Sequence, residues 1–205
     1  MTRTTHPAAR TLLQRLIVDR CGATLTEFAF VGPVLILMVM GIFDMAHTQY
    51  TNAMVNGAMQ KAGRDLTLES AGTRQAGVDE LVREQIMNVV PDSAIITFER
   101  LSHFDFTDIG EPEEFTDDNA DNICNNNEVF ADANGNGQWD SDRGRDGIGG
   151  ARDAVVYTAN VTYPRLFPMF GLAGMPRNVT LRASTVLRNQ PFAQQNRALD
   201  TGNCP

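Results

Sequence analysis

The chain has 205 residues, with 17 basic and 25 acidic side chains and a formal net charge of −8. A chain of this length is one ordinary domain with appendages and is long enough to bury a core. Its acidity is concentrated between Asp105 and Asp153, where fourteen acidic residues face three arginines, whereas residues 1–22 carry four arginines against one acid. Such an acidic surface would repel a phosphate backbone, which excludes nucleic acid as an expected partner.

The first predicted element is a membrane-spanning helix. The run from Phe28 to Phe43 is uncharged and, with residues 23–27 in front of it, gives 21 residues before Asp44. A helix needs about 20 residues to cross the hydrocarbon core of a bilayer. The arginines before the run should stay in the cytoplasm and send the C-terminus outward. A cleaved signal peptide is the alternative, but its apolar region would be shorter and would end in a small-residue site. We therefore predict a basic cytoplasmic leader over 1–22 and a transmembrane helix over 23–43, kinked at Pro33.

A sequence motif precedes the apolar run. Residues 20–28 read Arg-Cys-Gly-Ala-Thr-Leu-Thr-Glu-Phe, which places the carboxylate of Glu27 at the mouth of the membrane. A glycine, four residues and then Glu-Phe at the start of an apolar helix resembles the processing site of type IV prepilins and pseudopilins. With its basic leader, the motif is similar to that of TadE-like proteins of the Flp (Tad) pilus system. The resemblance implies cleavage between Gly22 and Ala23 by a prepilin peptidase. Glu27, followed by Phe28, would then be the fifth mature residue, which in pilins pairs with the N-terminal amine of a neighbouring subunit.

The resemblance covers residues 10–70 and 150–195 and implies a role. It indicates a minor pseudopilin in the bacterial inner membrane, with a periplasmic head, that contributes to pilus biogenesis and surface adhesion. The implied partners are the membrane, the Flp pilin, other minor pseudopilins, the prepilin peptidase and the Tad inner-membrane platform. The alternative is an unprocessed single-pass module for calcium binding or adhesion, whose function resides in residues 104–153. The histidines His6, His47 and His103 form no evident nucleophile–base set, so we predict no enzymatic activity.

The predicted head follows Asp44, over residues 44–103 and 154–190, with a tail at 191–205. The first helix should continue to about Ser70 and bury one face, and a second helix should cover 74–89. Three strands are predicted, at 93–102, 154–163 and 178–188, from their β-branched and aromatic residues. The fold class is therefore α+β, with a pilin-like long helix packed on a small antiparallel sheet and an acidic insertion. We expect the apolar segment 164–176 to pack on the head, and contact with the membrane or with a partner subunit is the alternative. The apolar positions predicted to be buried are Val55, Ala58, Ala62 and Leu66 in the first helix and Val78, Leu81, Val82, Ile86 and Val89 in the second.

The insertion at residues 104–153 is too polar and too negative to drive its own collapse, so it is either disordered or organised by a cation. Oxygen-bearing side chains at alternate positions, followed by Gly137, match the opening of an EF-hand-type Ca²⁺ loop. The twelfth position is Arg143 where such a loop has a bidentate glutamate. The missing carboxylate would then come from Asp140, Asp142, Asp121 or Glu128. A structural Ca²⁺ and a plain solvated loop both remain open at this point. The candidate ligands are Asp132, Asn134, Asn136, Gln138 and Asp140.

The cysteines are Cys21, Cys124 and Cys204. Cys21 would leave with the leader and is given no role. Cys124 and Cys204 lie beyond the apolar run and are a candidate disulfide pair if this part of the chain is in an oxidising periplasm. Two free thiols are the alternative, since spacing alone does not determine the geometry that a disulfide needs.

Overall fold

The computed structural model describes residues 21–68, 75–167, 171, 174–189 and 199–205. Residues 1–20 of the predicted leader and 190–198 near the predicted tail lie outside the described residues. The predicted α+β class, with a long N-terminal helix and a small antiparallel sheet, is confirmed. The elements are α1 Cys21–Leu68, α2 Gln75–Met87, β1 Ile95–His103, β2 Val129–Asp132, β3 Arg145–Asp146, β4 Ala154–Pro164, β5 Asn178–Arg188 and β6 Asp200–Asn203.

The helix α1 is a single element of 48 residues that continues through Pro33. Its first half carries exposed apolar side chains, whereas its second half packs on the sheet through residues spaced three and four apart. Near its end, Gly63 permits close approach to β5, because a side-chain carbon there would lie 3.0 Å from Thr185 Oγ1. The predicted buried face is confirmed at all four positions, Val55, Ala58, Ala62 and Leu66, and Met59 joins it.

The main sheet has four antiparallel strands in the order β3-β1-β4-β5. The long central strand β4 pairs with β1 on one side and along its whole length with β5 on the other. Alternate side chains of β4 face the helices, as the pleat of a strand requires. These inward residues are fully buried and form the centre of the main core with α1 and α2: Val155, Tyr157, Ala159, Val161 and Tyr163.

A polar contact ties α2 to this sheet. The hydroxyl of Tyr157 and the guanidinium of Arg100 both donate hydrogen bonds to the Asp79 carboxylate. The Arg100 guanidinium also lies 4.3 Å from the centroid of the Tyr157 ring. Burial, and then the hydrogen bond to Asp79, raise the pKa of Tyr157 above its ordinary value. The phenol is therefore held in its neutral form beside a carboxylate.

The second helix was predicted with an error on its buried face, and Val89, also predicted to be buried there, lies beyond the helix and is half-buried against the core. The predicted range of 74–89 is found as Gln75–Met87, and Val78, Val82 and Ile86 are buried. Leu81, however, is 59% exposed, so its prediction as a core residue is wrong. Successive residues turn by about 100° around a helix, which places Leu81 on the flank beside Val82. Because α2 contacts the core along one side, its buried stripe is narrower than the apolar pattern suggests.

The three predicted strands are found, with bounds within two residues of the prediction for β1, one for β4 and none for β5. The segment between β4 and β5 differs from expectation. Leu166 is 49% exposed and Met175 is 39% exposed, so these two side chains are only partly covered, and Phe167 is half-buried. Residues 168–170 and 172–173 of this segment lie outside the described residues.

The acidic insertion is organised into short elements. It begins with a 3-10 turn at Phe106–Asp108, and it supplies β2 and the short edge strand β3. Strand β2 pairs with β6 at the C-terminal end of the chain, from Val129 opposite Asn203 to Asp132 opposite Asp200. The insertion is therefore built on both the sheet edge and the C-terminal residues.

A second small core holds the insertion together. Cys124 and Cys204 form a disulfide, with their Cα atoms 5.3 Å apart. The buried ring of Phe130 packs beside it, and Gly202 lies directly against that ring. Phe115 and Trp139 cover the cluster, with their rings in an edge-to-face arrangement 5.9 Å apart. This core is distinct from the one between α1 and the main sheet, and it includes the C-terminal residues that follow the undescribed stretch.

Candidate functional site

The motif residues lie at the beginning of α1. Gly22 is exposed, with open space where a side chain would be, and Glu27 and Phe28 are exposed one to two turns later. Ala23 is part of the same helix. Glycine in a helix costs roughly 0.5–1 kcal/mol relative to alanine, so the backbone around Gly22 is easy to unwind locally. A peptidase that needs an extended backbone would benefit from this low cost.

The apolar half of α1 presents hydrophobic side chains on every side. Phe30 is 81% exposed and Ile36 is 58% exposed, and this character continues to Phe43 and Met45. By length and composition, this helix could cross a membrane. Asp44, the first charged residue after the run, is buried against the head, where its Oδ2 lies 2.6 Å from Nη1 of Arg165. The head therefore begins at the point where the uncharged run ends.

The predicted cation loop, residues 132–140, wraps around one buried carboxylate. Asp132 is 5% exposed. Its Oδ1 accepts the backbone N–H of Gly135 at 2.6 Å and of Asn136 at 3.2 Å, and its Oδ2 accepts that of Gly137 at 2.8 Å. Gly135 and Gly137 have positive φ angles of 78° and 77°, which glycine adopts without strain. The loop thus has the tight turn that the sequence pattern predicted.

The other predicted ligands of this loop converge on one atom. The side-chain amides of Asn134 and Asn136 lie 2.7 and 2.6 Å from Oδ2 of Asp140. Gln138 takes part through its backbone N–H, which donates to Asn136 Oδ1 at 2.7 Å, while its side chain is exposed. Four of the five predicted residues therefore bring oxygen-bearing side chains together, and Gln138 contributes main chain.

A carboxylate that the sequence did not suggest completes this loop. Glu113 lies about twenty residues earlier in the chain and is 2% exposed. Its Oε1 accepts the N–H of Ala133 at 2.8 Å and of Asn134 at 3.4 Å, and its Oε2 accepts that of Asp140 at 3.1 Å. Its carbonyl accepts the indole N–H of Trp139 at 2.8 Å. Glu113 is thus inserted into the 132–140 loop from a distant segment.

A second loop of the same kind, residues 117–128, precedes the first. Its sequence reads Asp-Asp-Asn-Ala-Asp-Asn-Ile-Cys-Asn-Asn-Asn-Glu, with oxygen-bearing side chains at positions one, three, five and nine and a glutamate at position twelve. That is the spacing of a complete EF-hand-type loop, in which Asn122 occupies the glycine position with a φ of 61°. Asp121 Oδ2 accepts from the amides of Asn119 at 3.0 Å and Asn125 at 2.9 Å. The hydrogen bond from Asn125, then that from the Ile123 backbone, lowers the pKa of Asp121.

The two loops share one hydrogen-bond pattern. In each, the first aspartate accepts backbone N–H groups from positions five and six of its loop. In each, a buried glutamate accepts N–H groups from positions two and nine: Glu128 does so in the 117–128 loop, and Glu113 does so in the 132–140 loop. Glu113 therefore stands in for the glutamate that Arg143 replaces in the sequence.

This equivalence makes Glu113 a further candidate for the missing carboxylate, beside Asp140, which lies in the loop itself. Asp121 and Glu128 belong to the preceding loop, and Asp142 Oδ1 lies 2.7 Å from Nε2 of the buried His103. Glu113, Glu128 and Asp132 are all at least 95% buried, and in the part of the chain that the structure describes none of them has a basic partner within salt-bridge distance. Buried carboxylates ordinarily need a cation.

The donor set fits a hard cation only if neutral oxygens take part. Among the described residues, no three His, Cys, Asp or Glu side chains form a cluster that could hold a metal by themselves. Ca²⁺ takes six to eight oxygens and accepts amide and main-chain carbonyl oxygens among them. The asparagines of both loops and the carbonyl at position seven are groups of this kind.

Comparison with known protein families was informative for the N-terminal part of the chain. Residues 22–64 match the model of the family described as TadE-like protein. This segment is TadE-like. The match begins at Gly22 and ends within the part of α1 that packs on the head, so it spans the motif, the apolar run and the first core residues. No curated protein and no solved structure matches the chain.

The TadE-like segment confirms the resemblance inferred from the motif over these residues. TadE-like proteins belong to Tad pilus systems, and they are structural proteins rather than enzymes. The likeness expected over residues 150–195 lies outside the matched segment and stays a prediction. The spacing of the 117–128 loop was present in the sequence and could have been found by the same pattern that identified 132–140. Glu113 had no such signal, because its partners are distant in sequence.

Proposed function

We propose that this protein is a minor pseudopilin that acts in assembly of a Tad (Flp) pilus, anchored in a bacterial inner membrane with its head in the periplasm. The observation that carries the proposal is the division of α1 within the TadE-like segment. Its first half exposes apolar side chains all around, and its second half buries one face against the head. An exposed apolar helix of this length needs lipid or other apolar helices to cover it. The helix of a pilin-like subunit is covered in both ways, since it lies in the bilayer before assembly and beside other helices afterwards.

The start of α1 supports processing by a prepilin peptidase. Cleavage after Gly22 would free the amine of Ala23 and make Glu27 the fifth residue. A carboxylate within an apolar helix bundle needs a positive partner, and a new N-terminal amine of a neighbouring subunit is a suitable one. We therefore assign Gly22 and Ala23 to the cleavage site and Glu27 to contact between subunits, with Phe28 beginning the apolar surface. The partners of this role are the Flp pilin, other minor pseudopilins and the Tad inner-membrane platform, and the role supports surface adhesion.

The role of Glu27 is tested by replacing it in cells. Glu27→Gln should leave the protein in the membrane fraction but strongly reduce the number of pili counted by electron microscopy. The matched control is Glu99→Gln, which removes an exposed carboxylate from β1 of the head and should leave piliation normal. Normal piliation in Glu27→Gln would count against the pseudopilin assignment and favour an unprocessed membrane anchor.

A second function, calcium binding by the acidic insertion, is favoured by the three buried carboxylates at the centre of the two loops. Asp132 and Glu113 would serve the 132–140 loop, and Glu128 would serve the 117–128 loop. The asparagine and remaining aspartate oxygens would complete each coordination shell. The bound cation would neutralise buried charge and rigidify the insertion, with no chemical step. This function is compatible with the pilus role and is also the basis of the alternative, an unprocessed calcium-binding or adhesion module.

Calcium binding is tested by titration calorimetry on the full chain in detergent, with Trp139 fluorescence as a second readout. Glu113→Gln and Glu128→Gln should each weaken Ca²⁺ binding by about tenfold or more, since each removes a carboxylate from one loop. Glu114→Gln is the matched control, because it alters the next residue, whose side chain is 81% exposed. Chelation should increase protease cutting within residues 118–150. Absence of a calorimetric signal, with unchanged protease cutting after chelation, would refute the proposal that the insertion binds Ca²⁺.

A further inference from the structure

The connection between β4 and β5 lies at one end of the main sheet, and the acidic insertion lies at the other. The two strands pair from Ala154 opposite Arg188 to Pro164 opposite Asn178. The insertion follows the end of β1 at His103, which pairs with Ala154. Each strand has eleven residues, so about 33 Å separates the two ends at about 3.3 Å per residue.

The β4–β5 end of the sheet is held beside the point where the apolar run of α1 stops. Nη1 of Arg165, the first residue after β4, lies 2.6 Å from Oδ2 of Asp44. The Nε of Arg165 donates to the carbonyl of Pro176 at 3.0 Å, and its backbone N–H donates to the carbonyl of Arg177 at 3.1 Å. Both sides of the connection are thus fixed at the level of Asp44, one residue beyond Phe43.

The exposed side chains of this connection are apolar or basic. Residues 165–177 read Arg-Leu-Phe-Pro-Met-Phe-Gly-Leu-Ala-Gly-Met-Pro-Arg and include no acidic residue. Among the described positions, Leu166 is 49% exposed, Met175 is 39% exposed and Arg177 is exposed. The opposite end of the sheet carries the insertion, with its fourteen acidic residues against three arginines. The two ends of the head therefore differ in character: the end near Asp44 is apolar and basic, and the opposite end is strongly negative.

We infer that the β4–β5 connection is a membrane-contacting surface, defined by Leu166, Met175 and Arg177, which rests on the outer leaflet of the bilayer that holds α1. This inference depends on the anchoring in the proposed function and adds a second point of contact to it. The Asp44–Arg165 contact holds this surface beside the end of the exposed apolar run of α1. Aliphatic side chains favour the headgroup–acyl boundary, and an adjacent arginine favours anionic headgroups. The distant acidic insertion avoids repulsion by the same anionic surface.

With two contacts, the head has a fixed tilt on the membrane. The helix alone would let the head rotate about its axis, whereas the membrane-contacting surface selects the rotation in which the β4–β5 edge faces the lipid. The acidic insertion then lies at the end of the sheet away from the bilayer, about 33 Å along the strands from the β4–β5 connection. It faces the periplasm, where other subunits and cations are accessible.

The inference is tested by tryptophan quenching in lipid vesicles. The full chain, with Trp139→Phe to remove its only tryptophan, is reconstituted in vesicles of phosphatidylethanolamine and phosphatidylglycerol. The vesicles contain lipids spin-labelled either near the headgroup or deep in the acyl chain. Single tryptophans are placed by Leu166→Trp and by Met175→Trp, both at exposed positions. Ile36→Trp reports on the anchor, and Phe106→Trp, at a half-exposed position within the insertion, is the matched control in the head.

Leu166→Trp and Met175→Trp should be quenched by the shallow label, Ile36→Trp by the deep label, and Phe106→Trp by neither. Quenching of Ile36→Trp without quenching of Leu166→Trp and Met175→Trp would overturn the membrane-contacting surface and leave the anchor intact. If Ile36→Trp also escapes quenching, the anchoring itself fails.

Discussion

Removal of the disulfide between Cys124 and Cys204 should lower the stability of the head by a predictable amount. The bond joins residues separated by 80 positions. In the chain-entropy model, closing a loop of this length lowers the entropy of the unfolded chain, which stabilises the folded state by about 4 to 5 kcal/mol. The double variant Cys124→Ala/Cys204→Ala should lose most of this stabilisation of the folded state. The residues around the bond are few, with Phe130 as the buried ring and Trp139 at the edge, so packing there cannot compensate.

The assay is urea unfolding of the full chain in detergent, followed by two probes. Trp139 reports on the small core of the insertion, and circular dichroism reports on the main sheet and the packed half of α1. With a slope of about 2 kcal/mol per molar urea, the loss corresponds to a midpoint lowered by about 2 M. The fluorescence transition of the double variant should also precede the dichroism transition. Cys21→Ala, which removes the third cysteine, is the control. A midpoint shift below about 0.5 M would refute the entropic argument, and coincident transitions would refute the separation into two cores.

Three further predictions concern the main core and the ion pair at the end of the apolar run. Val55→Ala, at a fully buried position, should cost about 2 kcal/mol in the same unfolding assay, whereas Val34→Ala in the exposed apolar run should leave the midpoint unchanged. Arg165→Met should cost about 2 kcal/mol by leaving Asp44 unpaired, and hydrogen exchange should rise at the start of β5. Because the pKa of Tyr157 is raised above its unfolded value of 10.0, the unfolded state releases this proton first, and stability should fall above pH 10 by up to about 1.4 kcal/mol per pH unit. If the stability of the Tyr157→Phe variant falls over pH 10–12 as steeply as that of the unmodified protein, titration of Tyr157 is not the cause of the loss.

Periodicity in the sequence was sufficient for the main architecture. The apolar spacing of α1 predicted its buried face from Val55 to Leu66, because the packed half of the helix buries one continuous face with a regular pattern. Strand β5 was predicted with its observed bounds, since its β-branched residues stand between breaks at Pro176 and Asn189. Leu81 shows where the pattern fails: an apolar residue on the flank of a short helix is buried only if a neighbour covers that flank, and neighbours are set by tertiary structure.

The candidate site was predictable where its residues are close in sequence. The 132–140 loop was found because its oxygen-bearing side chains follow a fixed local spacing. Glu113 could not be found in this way, because it reaches the loop across some twenty residues and its burial depends on the fold of the insertion. The pairing of Cys124 with Cys204 was likewise left open, since it depends on β6 lying beside β2. Contacts of this kind follow from the fold and leave no local signal.

The TadE-like match begins at Gly22, and the proposed processing would cut the chain directly after this residue. This processing assigns residues 1–22 to a leader that is removed and makes the rest of α1 the start of the mature protein. Glu27 then acquires its proposed partner only after cleavage, because the amine of Ala23 does not exist before it. Processing, membrane anchoring and subunit contact therefore form one sequence of events in this account.

The most direct test of the central claim is the N-terminal residue and intact mass of the protein isolated from bacterial envelopes, with and without the prepilin peptidase of the cell. The account predicts a chain that begins at Ala23 when the peptidase is present and retains its leader when it is absent. A chain that begins at Met1 or Thr2 in both cases would contradict the pseudopilin assignment and leave a plain membrane anchor, with the acidic insertion as the place to look for function.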